Sequence, residues 1–232
     1  AEATGAVNGI GLVKVMGRES GFIAVHATLA SQEVNFTLIP EVPFNLEGEG
    51  GFLPLLKARL ERKRHAVVVV AEGAGLNLMP ESSLGVDASG NSRHPDIGLF
   101  LKERIQAYFK KEKMPINLKY IDPSYIIRSV PANTVDALLC DQLARRAVDA
   151  AMAGKTQVLI GMWDGAFVHL PIPLAVAAKK KVDPEGEEWI GVYEATGQPL
   201  RFLPAEEDEP SESAASGGGP IHQSPSSPAS IL

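Results

Sequence analysis

Cysteine pairs, metal-ligand clusters and long apolar runs are missing from this sequence, and each absence excludes a class of protein. Cys140 is the only cysteine among 232 residues, so no internal disulfide can form, and a reducing compartment such as the cytoplasm suits the chain. The five histidines are scattered, without the spacing or the cysteine partners of a zinc site. No apolar run reaches the roughly 20 residues that a membrane-spanning helix needs.

Net charge is also nearly absent from the body of the chain. The formal net charge is −6 at pH 7, but five acidic residues and no Lys or Arg follow Ala205. The remainder is close to neutral with both signs mixed, which gives no electrostatic basis for binding nucleic acid or an anionic membrane. The acidic residues give way to Ser, Gly and Pro, so residues 204–232 are expected to be a disordered tail after a folded portion at residues 1–203.

Apolar stretches alternate with helical patterns along the folded portion. Five stretches predict β-strands, at residues 10–15, 34–39, 66–71, 116–121 and 157–161. The valine run within 66–71 is continuous, as is typical of a strand buried on both faces of a parallel sheet. Four segments with helical spacing predict helices, at residues 17–29, 51–64, 95–109 and 133–153. The alternation predicts an α/β fold with a mostly parallel sheet and helices on both faces, and residues 82–94 are expected to be a surface loop.

The first candidate site follows the first predicted strand, at Met16, Gly17 and Arg18. In a parallel α/β sheet such a strand-to-helix turn lies at the carboxyl edge, where ligands bind. A helix beginning there would offer backbone N–H groups to an anion, and Arg18 would add a planar cation suited to phosphate. The alternative is a tight turn with a solvated arginine.

Two further strand ends carry polar side chains. Glu72 follows the valine strand and could accept hydrogen bonds from sugar hydroxyls, although a strand-end glutamate that pairs with a lysine or caps a helix is the commoner case. Tyr125 and Arg128 lie three residues apart after Pro123, so on a helix they would share a face and could clamp one phosphate. The alternative is a packed tyrosine beside an exposed arginine.

Two other residues carry simpler expectations. Cys140 lies on the apolar side of a predicted helix and is expected to be a buried thiol. Asp164 precedes Gly165 after the last predicted strand, where it could contact a ligand but is more typical of a turn.

Three of these stretches, taken together and in this order, resemble the phosphofructokinase family. Val15-Met16-Gly17-Arg18 is similar to the family's sugar-phosphate motif, and Ala71-Glu72-Gly73 to its Ala-Glu-Gly strand end. Tyr125-Ile-Ile-Arg128 is similar to the Tyr-x-x-Arg pair of plant-type members. The resemblance covers residues 9–161 and favours the ATP-dependent plant and protist branch.

The resemblance implies a single sugar-phosphate site built from these strand ends. Arg18 and Glu72 would face the fructose ring, and Tyr125 and Arg128 would grip the 6-phosphate. Lys119 stands where bacterial members have another phosphate-binding arginine. The resemblance implies no catalytic residue in this chain and seven substrate-binding residues: Met16, Gly17, Arg18, Glu72, Lys119, Tyr125 and Arg128.

The family's other elements have no counterpart in this sequence. The loop that holds nucleotide phosphates and magnesium, and the aspartate that acts as general base, would precede Ala1, so the chain is expected to be a fragment that is inactive alone. Gly9 stands where bacterial members carry an arginine that reaches a neighbouring subunit.

For the whole protein the resemblance implies a glycolytic enzyme with fructose 6-phosphate as acceptor, ATP and Mg²⁺, and a homo-oligomer, either a dimer or a tetramer. A pyrophosphate-dependent enzyme and a non-catalytic sugar-phosphate-binding protein are the alternatives in function. The expected compartment is the cytoplasm, and a plastid is the alternative.

Overall fold

Four parallel strands form the sheet on which the rest of the fold is built. The computed structural model of the chain describes residues 2–79 and 95–202, so the loop expected at 82–94 and the tail expected at 204–232 lie outside the described residues. The strands are β1 (Gly9–Val15), β2 (Phe36–Leu38), β3 (His65–Ala71) and β4 (Asn117–Ile121). Their order is β2-β3-β1-β4, with every neighbouring pair parallel.

Helices cover both faces of this sheet, as the sequence predicted. The helices are α1 (Glu2–Gly5), α2 (Phe22–Ser31), α3 (Phe52–Lys63), α4 (Ile97–Lys111), α5 (Ser124–Ser129), α6 (Thr134–Met152), α7 (Ile172–Ala175) and α8 (Glu187–Thr196). Val68 and Val70 pack with α3 and α4 on one face, whereas Val69 and Ala71 pack with α2 and α8 on the other. Burial on both faces explains why β3 is a continuous run of apolar residues.

The predicted cap of α6 is confirmed by its hydrogen bond. The Oδ1 atom of Asn133 accepts from the backbone N–H of Asp136 at 2.9 Å and satisfies one of the donors that a helix N-terminus leaves open. Within the described residues, 2–79 and 95–202, none of the helices is long and apolar enough to cross a membrane.

The last predicted strand belongs to a hairpin rather than to the parallel sheet. β5 (Val158–Trp163) pairs antiparallel with β6 (Ala166–Pro171), a strand that the sequence did not predict. Asp164 and Gly165 form the two-residue turn, with φ of 46° and 75°. Both central residues of this hairpin turn need positive φ, so Asp164 is a turn residue, and the Asp-Gly pair was the signal that could have revealed β6.

Residues 124–176, here called the arm, hold α5, α6, the hairpin and α7 and expose many apolar side chains. On α6, Val135, Leu138 and Met152 are 74%, 60% and 83% exposed. Cys140 is also exposed, so the expectation of a buried thiol was wrong. Only Ala150 of α6 is buried, so within the described residues little packs against the apolar stripe that the sequence predicts.

Gln198 closes the sheet edge beside β2 with its side chain. The backbone N–H of Thr37 donates to Gln198 Oε1 at 2.6 Å, and Gln198 Nε2 donates to the carbonyl oxygen of Thr37 at 3.3 Å. Both residues are almost fully buried. The side-chain amide therefore satisfies two backbone groups that an outer strand would otherwise pair.

We expect Gln198→Leu to lower the free energy of unfolding by about 2–4 kcal/mol, because the buried N–H and C=O groups of Thr37 would lose their partners. Gln106→Leu, on the exposed side of α4, is the matched control and should change the free energy by less than about 0.5 kcal/mol. Urea unfolding followed by circular dichroism measures both. Equal unfolding midpoints for the two variants would contradict this role of Gln198.

Candidate functional site

The ends of three neighbouring strands meet at the carboxyl edge of the sheet. β1 lies between β3 and β4, with Val15 opposite Ala71 and Val13 opposite Ile121. Each strand end leads directly into one of the three candidate motifs. Because the strands are parallel, the motifs come together at the one edge where open α/β sheets bind ligands.

The first two motifs continue the strand pairing beyond the strands themselves. The backbone N–H of Glu72 donates to the carbonyl of Val15, and that of Gly73 donates to the carbonyl of Gly17, each at 3.0 Å. Arg18 then forms an ion pair with Glu72, with 2.7 Å between Nε and Oε1. The structure therefore brings together two of the residues singled out from the sequence.

Two glycines make this close approach possible, each for a different reason. Gly17 has φ of 141°, a conformation that other residues rarely adopt, and a Cβ there would lie 2.5 Å from the carbonyl oxygen of Ser20. A Cβ on Gly73 would overlap the carbonyl oxygen of Arg18. The Arg18 turn and the loop after β3 can thus touch only while position 73 has no side chain.

The third motif lies on α5, beside Met16. The Arg128 Nε–H donates to Met16 Sδ at 3.3 Å, which joins the third motif to the first. Tyr125 lies one helical turn earlier, with 84% of its surface exposed. A phenol and a guanidinium are thus available to solvent next to the end of β1.

Lys14 links the same elements from a mostly buried position, a role that the sequence did not predict. Its Nζ lies 2.6 Å from Asp96 Oδ2 and 2.9 Å from Asp122 Oδ2, and its side chain is only 13% exposed. Burial acts to lower the pKa of Lys14, but hydrogen bonds to the two carboxylates outweigh burial and raise that pKa above its usual range. Burial and the Asp96 charge raise the pKa of Tyr120, which donates to Asp96, to about 12. A lysine inside an otherwise apolar strand was the available signal.

The start of α2 does not provide the anion site expected from the sequence. α2 begins at Phe22, several residues after the Gly17 turn. The backbone N–H of Gly21 already donates to both carboxylate oxygens of Glu41, each at 3.0 Å. The positive end of this helix therefore faces a carboxylate of the chain itself. The spacing of apolar residues in 17–29 gave no sign of the later start.

Two positions named by the resemblance lie away from the cluster. The backbone of Lys119 pairs with Gly11 in the middle of β1, five residues before Met16. Gly9 packs against α1, since a Cβ there would overlap the carbonyl oxygen of Ala3. Position 9 therefore cannot carry an arginine while α1 keeps this placement.

A cavity of about 610 Å³ opens beside Arg18 and Gly73. Lys179 and Lys181 also line it, together with Glu19, which forms an ion pair with Lys179. Three cations and one carboxylate therefore line this cavity.

The described residues offer no fit for a metal ion. Across residues 2–79 and 95–202, His, Cys, Asp and Glu side chains form no group of three or more that could hold one. The magnesium that the resemblance implies therefore finds no such group among the described residues.

The fold and the edge geometry define a class of protein. It is an α/β protein whose parallel sheet presents guanidinium, phenol and carboxylate groups at its carboxyl edge, a set suited to a small anion that also carries hydroxyls. The family model described as Phosphofructokinase matches residues 1–151. The chain belongs to the phosphofructokinase family.

Curated relatives agree with this membership over most of the chain. An ATP-dependent 6-phosphofructokinase of Borreliella burgdorferi is 53% identical over 205 residues, which are 86% of this chain and 46% of that protein. The chloroplastic ATP-dependent 6-phosphofructokinase 5 of Arabidopsis thaliana is 47% identical over 198 residues, which are 85% of this chain and 37% of that protein. The chain thus spans about half or less of the length of these relatives.

Solved structures support the same fold at lower identity. A pyrophosphate-dependent phosphofructokinase from Marinobacter aquaeolei matches with a TM-score of 0.61 and 18% identity, over 89% of this chain and 52% of that chain. At this identity the match supports the α/β architecture and says nothing about the phosphoryl donor.

Gly73→Ala tests the close approach of the two loops. We expect it to lower the free energy of unfolding by about 1–3 kcal/mol, because the new Cβ must push the Arg18 turn away from the loop after β3. Gly191→Ala is the matched control: its Cβ would meet Leu29 at 3.4 Å, an ordinary contact. Because Gly191 lies inside α8, that control should instead stabilise the protein by roughly 0.5–1 kcal/mol. Urea unfolding measures both variants. If Gly73→Ala and Gly191→Ala change the free energy of unfolding in the same direction, the close approach at Gly73 is refuted.

Proposed function

We propose that this chain supplies the acceptor site of an ATP-dependent 6-phosphofructokinase. In that reaction the terminal phosphoryl group of ATP passes to the 1-hydroxyl of fructose 6-phosphate, giving ADP and fructose 1,6-bisphosphate, and the hydroxyl proton leaves to a base. The names of these relatives, which are ATP-dependent 6-phosphofructokinases, support the donor and the acceptor. The observation that carries the proposal is the meeting of Arg18, Glu72 and Arg128 around the end of β1.

Arg128 and Tyr125 would hold the 6-phosphate. Both lie on one face of α5 and are exposed, so a phosphate can reach them without a rearrangement of the core. A guanidinium binds phosphate oxygens through two parallel hydrogen bonds, and a phenol adds a further donor. The contact between Arg128 and Met16 Sδ is weak and is easily replaced by a bond to phosphate.

Arg18 and Glu72 would orient the sugar ring. A carboxylate can accept several hydrogen bonds, and the ion pair with Arg18 fixes the direction in which Glu72 presents its oxygens. The backbone of Met16 and Gly17 borders the same space, and the absence of a side chain at Gly17 lets a ligand approach closely. Lys119 contributes only if the sugar phosphate extends toward the middle of β4 or reaches a second subunit.

The phosphoryl donor and the catalytic base would come from the rest of a longer protein. The arm exposes more apolar surface than an isolated lobe would be expected to keep in water, including Trp163 at 62% and Met152 at 83% exposure. The chain also spans about half the length of its curated relatives. We therefore expect this chain alone to bind fructose 6-phosphate without turning it over.

Oligomeric state and compartment are part of the same proposal. We propose a homo-oligomer, since that is what membership of the family implies for the whole protein. The cytoplasm suits the single cysteine, and the chloroplastic name of one relative keeps a plastid as the alternative.

Arg128→Ala in the full-length enzyme is the decisive variant. We expect KM for fructose 6-phosphate to rise about 30- to 150-fold, because losing a charge-assisted phosphate contact costs about 2–3 kcal/mol. Steady-state kinetics with ATP and, separately, with pyrophosphate measure this effect and identify the donor. Arg104→Ala, an exposed arginine of α4 that stacks on Phe100, is the control and should leave KM unchanged.

An unchanged KM in Arg128→Ala would overturn the assignment of the acceptor site. If the enzyme is active with pyrophosphate but not with ATP, the assignment of the acceptor site stands and pyrophosphate is the donor. Calorimetry with fructose 6-phosphate on this chain alone provides a test that needs no turnover.

A further inference from the structure

Lys14 lies between two carboxylates that belong to different parts of the chain. Its Nζ bonds Asp96 at 2.6 Å and Asp122 at 2.9 Å, and both acids are about one-third exposed while the lysine is 13% exposed. A single, mostly buried cation therefore bridges two acids that would otherwise repel each other, and the group of three keeps a formal charge of −1.

Each of the two acids also holds the start of a helix. Asp96 caps α4, because its Oδ1 accepts from the backbone N–H groups of Gly98 at 2.8 Å and Leu99 at 3.0 Å. Asp122 accepts from the backbone N–H of Ser124 at 3.2 Å and from the Ser124 hydroxyl, at the start of α5. Lys14 thus connects the starts of α4 and α5 to the carboxyl end of β1.

α5 has little else to hold it in place. It is six residues long, and none of its residues is buried. Ile126 and Ile127 are 65% and 45% exposed, so apolar packing within the described residues contributes little. Two described side-chain contacts connect this region to β1 and the residue after it. Lys14 of β1 pairs with Asp122, two residues before α5, and Arg128 of α5 contacts Met16, the residue after β1.

We propose that Lys14 is a positioning residue for the substrate site. It holds α5 against the end of β1, so that Tyr125 and Arg128 stand beside Met16, Gly17 and Arg18 before a ligand arrives. The inference rests on the proposed function, since it assigns the ligand of α5 as the sugar phosphate. It adds a residue that does not itself touch that ligand.

Preorganisation explains why a partly buried ion pair would occur here. A mostly buried lysine between acids is weak evidence for stability, because desolvation offsets much of the attraction. A short helix fixed by one charged contact, however, loses less freedom when it binds a phosphate, so the benefit of the pair appears in ligand affinity.

The test compares Lys14→Met with a matched ion pair elsewhere. Lys57→Met is the control, because Lys57 also bonds a carboxylate at 2.6 Å, that of Glu112, and links α3 to α4 away from the carboxyl edge. Amide hydrogen exchange and calorimetry with fructose 6-phosphate are measured on both variants. Two further variants are measured. Lys14→Arg keeps the positive charge, and Asp122→Asn removes one ion pair while leaving Lys14 paired with Asp96.

We expect Lys14→Met to speed exchange at the amides of Ile127 and Val130, which close the turns of α5, by about tenfold or more, while the amides of β3 stay protected. The dissociation constant for fructose 6-phosphate should rise about tenfold. Asp122→Asn should reproduce both changes, Lys14→Arg should restore most of the affinity, and Lys57→Met should alter neither.

The outcomes separate this inference from the proposed function. The positioning role is overturned if amide exchange in α5 is unchanged in Lys14→Met and Asp122→Asn. It is also overturned if exchange accelerates equally at the amides of β3. If Arg128→Ala weakens binding but the Lys14 and Asp122 variants do not, the site stands and the inference fails. If Arg128→Ala leaves binding unchanged, the proposed function fails, and the inference falls with it even where exchange in α5 responds to Lys14.

Discussion

The parallel pairing of β1 between β3 and β4 is the constraint on which the rest of the structure depends. It aligns Val15 with Ala71 and Val13 with Ile121, so three strands that are far apart in sequence end at one edge. Hydrogen bonds continue that pairing into the loops, and Gly73 allows the two loops to touch. A slip of one residue would reverse the faces of β1 and separate Arg18 from Glu72.

Charge is arranged at this edge in two groups. Arg18, Arg128 and Glu72 form the first group, whereas the mostly buried Lys14 and its two partly exposed acids form the second and hold the supporting backbone. Surface ion pairs contribute little to stability, so the proposed sugar-phosphate site accounts better for the first group. The second group would favour that binding, because it would order α5 in advance.

Much of the lobe follows from local sequence, and the errors have identifiable physical causes. The valine run of β3 and the Asn133 cap of α6 are local signals, and the structure confirms both predictions. The predicted start of α2 was wrong, because Glu41, which faces that start, is distant in sequence. Cys140 was expected to be buried because apolar spacing identifies a face that needs a partner without saying whether the chain provides one. The meeting of Arg18 with Glu72 came from resemblance alone, since spacing cannot give strand order.

The central claim is that one fructose 6-phosphate binds across the three strand ends. A crystal structure of the protein with that ligand tests it most directly. The account predicts the 6-phosphate within hydrogen-bonding distance of Arg128 and Tyr125, with ring hydroxyls at Glu72. A ligand bound away from the carboxyl edge, for example in the cavity of about 310 Å³ beside Arg59 and Arg62, would contradict the account.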